Sequence, residues 1–240
     1  MLIDTKELDH RTINEVIRAC EEKTCTLTGM CGQRFVGAGM AEKEIEITGT
    51  PGNALGAYLN GARITVHGNA QDAVGDTMNA GRITVHGNIG DVAGYAMRGG
   101  RIYVKGDAGY RAGIHMNAYK EKVPQLVIGG TAGSFLGEYQ AGGVIVVLGL
   151  TGGKKRIVSN FPCTGMHGGR VFVRAQSDAL DLPPQVTAHP ITAEEKEELR
   201  TILLDYCAVF GYDIGMVLSA PFTVITPDTA NPYRQMYVAN

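Results

Sequence analysis

Three arginines, Arg63, Arg82 and Arg101, recur 19 residues apart, with Glu44 holding the same place one step earlier. Guanidinium groups brought together in that way can bind an anionic ligand or the acidic face of a partner. Side chains that splay into water and pair with their neighbours account for the same spacing. His67 and His86 share the step and Lys105 follows them. Two imidazoles could begin a metal site, but the third place holds an ammonium and no carboxylate shares the series, so an exposed position is the simpler reading. His115 and His167 stand alone. The run Gly149-Leu150-Thr151-Gly152-Gly153-Lys154-Lys155 has the composition of a phosphate loop without its G-x-x-x-x-G-K-[ST] spacing. No G-x-S-x-G or H-E-x-x-H occurs. The five cysteines (Cys20, Cys25, Cys31, Cys163, Cys207) form no C-x-x-C pair, which reads as reduced thiols in a cytoplasmic protein. No residue is assigned as catalytic, cofactor-binding or metal-ligating.

The elements that would position these side chains are written in the glycines. There are 33 in 240 residues, about twice normal usage, and they keep a period. One series is Gly37, Gly56, Gly75, Gly94 and Gly113; a second is Gly49, Gly68, Gly87 and Gly106, again in steps of 19. Met40, Leu59, Met78, Met97 and Met116 make a third series, and the pairs Ile45/Ile47, Ile64/Val66, Ile83/Val85 and Ile102/Val104 a fourth. After Met116 an insertion of five residues delays the next unit, Leu126 to Gly130; Ile145 to Gly149 and Val171 to Val173 complete roughly eight units from Cys25.

Alternating β-branched segments predict strands, and 19 residues are too few for strand, helix and strand. The spacing therefore predicts an all-β solenoid: a right-handed parallel β-helix of seven to eight 19-residue coils with apolar columns inward and glycines at the corners. Asn69, Asn88 and Asp107 suit left-handed corners and ladders of side-chain hydrogen bonds. Gly75, Gly81, Gly87 and Gly94 also approach the hexapeptide rhythm of left-handed β-helix acyltransferases, although a 19-residue coil with Met or Leu at one corner departs from their 18.

Both ends offer a helix to cap the end coils. Ile13, Val16, Ile17 and Cys20 follow helical spacing behind Asp9, and Thr192 to Glu195 reads as a capping box before the apolar face Leu199, Ile202, Leu203, Tyr206, Cys207 and Phe210. Gly211 is placed to stop that helix. The division expected is a capping segment at 1–24, the repeat domain at 25–176, and a linker, helix and Pro-rich tail lying along the solenoid or a partner at 177–240. The insertion at 118–124 and the 151–166 loop leave the coil, as binding loops on solenoids do.

Composition excludes several classes. A net charge of −2 gives no basic excess for nucleic acid, no apolar run reaches membrane-span length, and Met1 to Cys20 has no signal-peptide core.

The run Gly90 to Ile102, with Gly94, Gly99 and Gly100, the stretch Gly129 to Gly149, and Gly165-Met166-His167-Gly168-Gly169 resemble the GXGXG domain. This is the C-terminal domain of the glutamate synthase large subunit, over roughly residues 10–210. One of the subunits of formylmethanofuran dehydrogenase is similar and shares the glycine rhythm. The resemblance implies a right-handed β-helix that holds other domains in place and itself carries no catalytic residue or cofactor ligand. It further implies a split glutamate-synthase-like complex. A class II amidotransferase (glutaminase) subunit would release ammonia, and a synthase subunit bearing FMN and an iron–sulfur cluster would join it to 2-oxoglutarate. Scaffolding a formylmethanofuran dehydrogenase or an N-methylglutamate-synthase-like complex is the alternative; an independent β-helix enzyme is the alternative of another class. A homo-oligomer is compatible with all of these, and Arg63, Arg82 and Arg101 would then be a partner surface.

Overall fold

A computed structural model describes residues 1–152 and 156–228. Its strands are β1 (Leu2–Asp4), β2 (Thr24–Cys31), β3 (Glu44–Thr50), β4 (Asn60–Val66), β5 (Ala80–Val85), β6 (Arg101–Val104), β7 (Gln125–Ile128), β8 (Ala141–Val147), β9 (Gly168–Val173), β10 (Val186–Pro190) and β11 (Thr223–Pro227). Its helices are α1 (His10–Ala19), α2 (Ala193–Phe210) and α3 (Ile214–Leu218).

The expected all-β solenoid with capping helices is corrected by the sheet topology. Among the described residues the strands form a single eleven-stranded, mostly parallel sheet in the order β1 through β9, then β11 and β10, with few helices. The 19-residue step enters as strand register: Ile45 pairs with Ile64, Ile64 with Ile83, and Ile83 with Ile102. The ends are finished by strands for a physical reason. An edge strand presents a row of unpaired N–H and C=O groups, and a helix has none of its own left to offer them. At one end β1 adds in parallel to β2. At the other, β11 adds antiparallel to β9, and β10 lies outside β11. The expected Pro-rich tail thus contributes a sheet strand at Thr223–Pro227, and its remainder from residue 229 lies outside the described residues.

The helices follow from local sequence. The Asp9 side chain accepts from the Thr12 N–H at 2.8 Å to start α1, and Thr192 and Glu195 form a reciprocal capping box at α2. Gly211 stops α2 in the left-handed conformation, φ 73°. The sheet's second face decides where α2 goes. Residues alternate between faces, so Ile102, Val104, Leu126 and Ile128 enter one apolar cluster while Tyr103 and Val127 enter another. That second cluster packs Tyr103, Val127, Val146 and Phe172 against Leu199, Leu203, Tyr206 and Phe210 of α2. The Tyr206 hydroxyl donates to the Val104 carbonyl at 3.0 Å and pins the helix to the sheet. Earlier strands carry Glu46, Thr65 and Thr84 at the corresponding places, which is why the helix covers only part of that face.

The two glycine series are required by different geometry. In the first, Gly75 has φ 69° and donates its N–H to the Leu55 carbonyl at 2.8 Å, as Gly94 does to Val74. In the second, Gly87 has ordinary backbone, but a Cβ there would lie 2.2 Å from Asn69 Oδ1. That oxygen accepts the Asn88 N–H at 2.8 Å, and Asn88 Oδ1 accepts the Asp107 N–H at 2.8 Å. The amide ladder is present; Asn69, Asn88 and Asp107 are not among the left-handed residues, which in these turns are others such as Tyr58, Ala73 and Val92.

Candidate functional site

Strands β4, β5 and β6 hold Arg63, Arg82 and Arg101 side by side, each pairing in register with the next. Their neighbours Ile64, Ile83 and Ile102 point into the core, so the arginines face outward by alternation. Helix α2 crosses beside them and presents Asp205, whose carboxylate lies 3.4 Å from Arg82 and 3.5 Å from Arg101. The insertion after Met116 folds back through a bridge between Tyr119 and Lys122. Its residues Glu121, Lys122 and Val123 wall the other side of a groove of about 550 Å³. An adjoining recess of about 350 Å³ runs under α2 between Arg101, Tyr103 and Gln125. Tyr103 is wholly buried, and neither its hydroxyl nor Gln125 Oε1 has a hydrogen-bond partner among the described residues. Burial pushes the Tyr103 phenol above its ordinary value of 10.0, with the Arg101 guanidinium opposing.

The structure brings His67 and His86 together as stacked rings with centroids 5.3 Å apart. His67 meets Glu46 at 2.7 Å, and His86 packs edge-on to Phe210 at 5.1 Å. Among the described residues no group of three His, Cys, Asp or Glu side chains could hold a metal ion. Burial, then the neighbouring His67 and Lys105, lower the His86 proton affinity below the ordinary 6.5. The folded state therefore favours the neutral ring. That stabilisation is complete above the unfolded value and is lost as pH falls through the folded one. Replacing His86 by Gln is expected to flatten the fall in melting temperature between about pH 7 and about pH 5; an unchanged slope would remove His86 from the pH response.

All five cysteines are free. Burial pushes Cys163 up to about 12, so its thiol is unreactive at neutral pH. Part of the phosphate-loop-like run, 153–155, lies outside the described residues.

A second surface has no counterpart in the arginine or histidine series. The turns that precede β6, β7, β8 and β9 carry Tyr95, Tyr110, Phe135, Tyr139 and Phe161. Phe135 lies between Tyr110 and Phe161, the ring planes tilted and the centroids 5.2 Å away on each side. His115 lies between Tyr95 at 5.7 Å and Tyr139 at 5.3 Å. The Arg111 guanidinium sits 5.3 Å from both the Tyr110 and Phe135 rings and pairs with Glu138 at 3.1 Å. Phe161 is 57% exposed and Tyr95 and Tyr110 are 40% exposed, so the ridge is open to solvent. The spacing of Arg111, Phe135 and Phe161 contains this column, once the two insertions are counted. Asp205 of the groove had no such signal, because α2 lies outside the repeat.

No helix among the described residues is long and apolar enough to cross a membrane. A chain of the formyltransferase/hydrolase complex from Methylorubrum extorquens, solved with methylofuran, has a similar fold. It aligns with TM-score 0.53 and 20% identity over 90% of this chain and 84% of that one. An uncharacterized protein of Methanocaldococcus jannaschii is 39% identical over 250 aligned residues, covering 99% of this chain and 96% of its relative. The GXGXG motif pattern matches from residue 4 to residue 228, spanning the sheet from β1 to β11. With its glycine series and the strands they connect all inside that match, this chain belongs to the GXGXG motif family.

Proposed function

We propose that this chain is a non-catalytic structural subunit of a multi-subunit enzyme of the glutamate-synthase-like kind. In this reading a glutaminase subunit and a subunit carrying FMN and an iron–sulfur cluster perform the chemistry. The observation that carries it is the aromatic ridge, in which Tyr95, Tyr110 and Phe161 are exposed and Phe135 is half-buried. Aromatic side chains are the groups most enriched in the buried centres of protein interfaces, and rings already packed against one another lose little conformational freedom on docking. Membership of the GXGXG family adds support. The fold likeness to a chain of the formyltransferase/hydrolase complex favours a second reading, in which the partners belong to a formyl-transferring or formylmethanofuran-oxidising assembly.

Affinity purification of the full chain from its native host tests both. The glutamate-synthase-like reading expects co-purifying glutaminase activity and a flavin absorbance. Recovery of a molybdenum or tungsten enzyme, or of a formyltransferase, instead favours the second, and recovery of the chain alone removes both. Phe161→Ser combined with Tyr110→Ser is expected to lower partner recovery at least tenfold, since interface anchors cost about 2 kcal/mol or more when truncated. Because both rings are exposed, the isolated variant should melt within a few degrees of the parent. Undiminished recovery would move the interface off the ridge.

A further inference from the structure

We propose that the groove of Arg63, Arg82 and Arg101 binds a small oxyanion, a phosphate- or carboxylate-bearing molecule, which takes the place that Asp205 now fills poorly. Four cations, the three arginines and Lys122, line this groove with only two carboxylates, Glu121 and Asp205. Among the described residues Arg63 makes no ion pair. Asp205 stands 3.4 and 3.5 Å from the other two arginines, well beyond the 2.7–2.9 Å typical of a charge-assisted hydrogen bond. Its distance is set by the helix. The next residue, Tyr206, is fully buried and donates to Val104, so α2 cannot advance to close the gap.

The second observation lies under the helix. The buried Tyr103 hydroxyl is a donor with no acceptor among the described residues, in the recess that adjoins Arg101. A buried hydroxyl normally has a partner, and an oxyanion seated on Arg101 in place of the Asp205 carboxylate would supply the acceptor. Neighbouring strands stand about 4.8 Å apart, so adjacent guanidiniums can grip the oxygens of one phosphate or one carboxylate. A groove of about 550 Å³ is of small-ligand size. This site does not depend on the subunit reading, because the chain is titrated on its own.

Calorimetric titration of the full chain with inorganic phosphate and, separately, with succinate tests the proposal. At least one is expected to bind saturably with one site per chain. Arg82→Gln should weaken that binding roughly tenfold, and Asp205→Asn should tighten it by removing the internal competitor. Tyr103→Phe should weaken it while leaving the melting temperature unchanged or raised, which a merely structural hydroxyl would not do. Preference for phosphate or for succinate identifies the source of the anion. Saturable binding of neither, or equal affinity in the parent and Arg82→Gln, overturns the site. Loss of partner recovery in Arg82→Gln with no binding of either probe would also overturn it, and would make the groove a protein contact.

Discussion

A chain carrying Met97→Asp is expected to give no cooperatively folded protein. Met97 is wholly buried, in line with Leu59, Met78 and Met116, which are equally inaccessible. An aspartate there would place an ionised carboxylate among thioethers and methyl groups with no cation or donor to receive it. The cost of burying an unpaired charge, several kcal/mol even after relaxation, is comparable with the whole stability of a typical domain, about 5–15 kcal/mol. Met97→Leu nearly conserves volume and should cost less than about 1.5 kcal/mol. Circular dichroism and thermal melting of the three proteins decide the matter. A Met97→Asp protein that melts like the parent would mean that this column does not face the core.

Gly49→Val is the second large effect expected, and its origin is the backbone. Gly49 has φ 113° and pairs with Met30 where the register between β2 and β3 shifts. A Cβ at this position would lie 2.3 Å from the Met30 carbonyl oxygen and 3.0 Å from Met30 C and N. Those atoms belong to a paired strand and cannot swing aside as a side-chain tip could. Valine adds a strained left-handed φ to the collision, so a loss of about 3 kcal/mol or more is expected, read as a lower denaturant midpoint. Gly39→Asn supplies the comparison. Gly39 has φ 66° with nothing within 4 Å of the missing Cβ, and the matching position one unit later, Tyr58, carries a side chain at φ 57°. Its cost should stay within about 1 kcal/mol, because Asn visits this region readily. Equal losses in the two variants would show that φ alone, and not the approach to Met30, governs the glycine at position 49.

Much of this structure can be read from the chain because a parallel pairing in constant register puts like residues beside like. Ile64, Ile83 and Ile102 recur at one interval, and so they pair; Arg63, Arg82 and Arg101 recur, and so they line one groove. The solenoid with helical caps does not follow in the same way. A period states the interval between strands, but the number of strands and the treatment of the edges depend on residues outside it. Leu2–Asp4, Val186–Pro190 and Thr223–Pro227 carry no trace of the 19-residue rhythm, yet they extend the sheet at both ends. The cap residues Asp9, Thr192 and Gly211 announce their helices correctly, since a cap is a hydrogen bond between residues a few places apart.

The destination of α2 was visible in part. From Tyr103 onward the outward strand positions turn apolar, Val127, Val146 and Phe172, after the polar run Glu46, Thr65 and Thr84. An apolar outward face requires a cover, and the apolar face of α2 is the one that matches it.

The repeat strands, their register and the inward columns were therefore legible in the chain, because they are consequences of local alternation and equal spacing. Two arrangements emerged only once the chain was folded: strands close both edges of the sheet, and Asp205 stands between Arg82 and Arg101 above a buried Tyr103. Asp205 reaches arginines 123 and 104 positions earlier through charge, and the edge strands join by backbone pairing; the 19-residue period encodes neither.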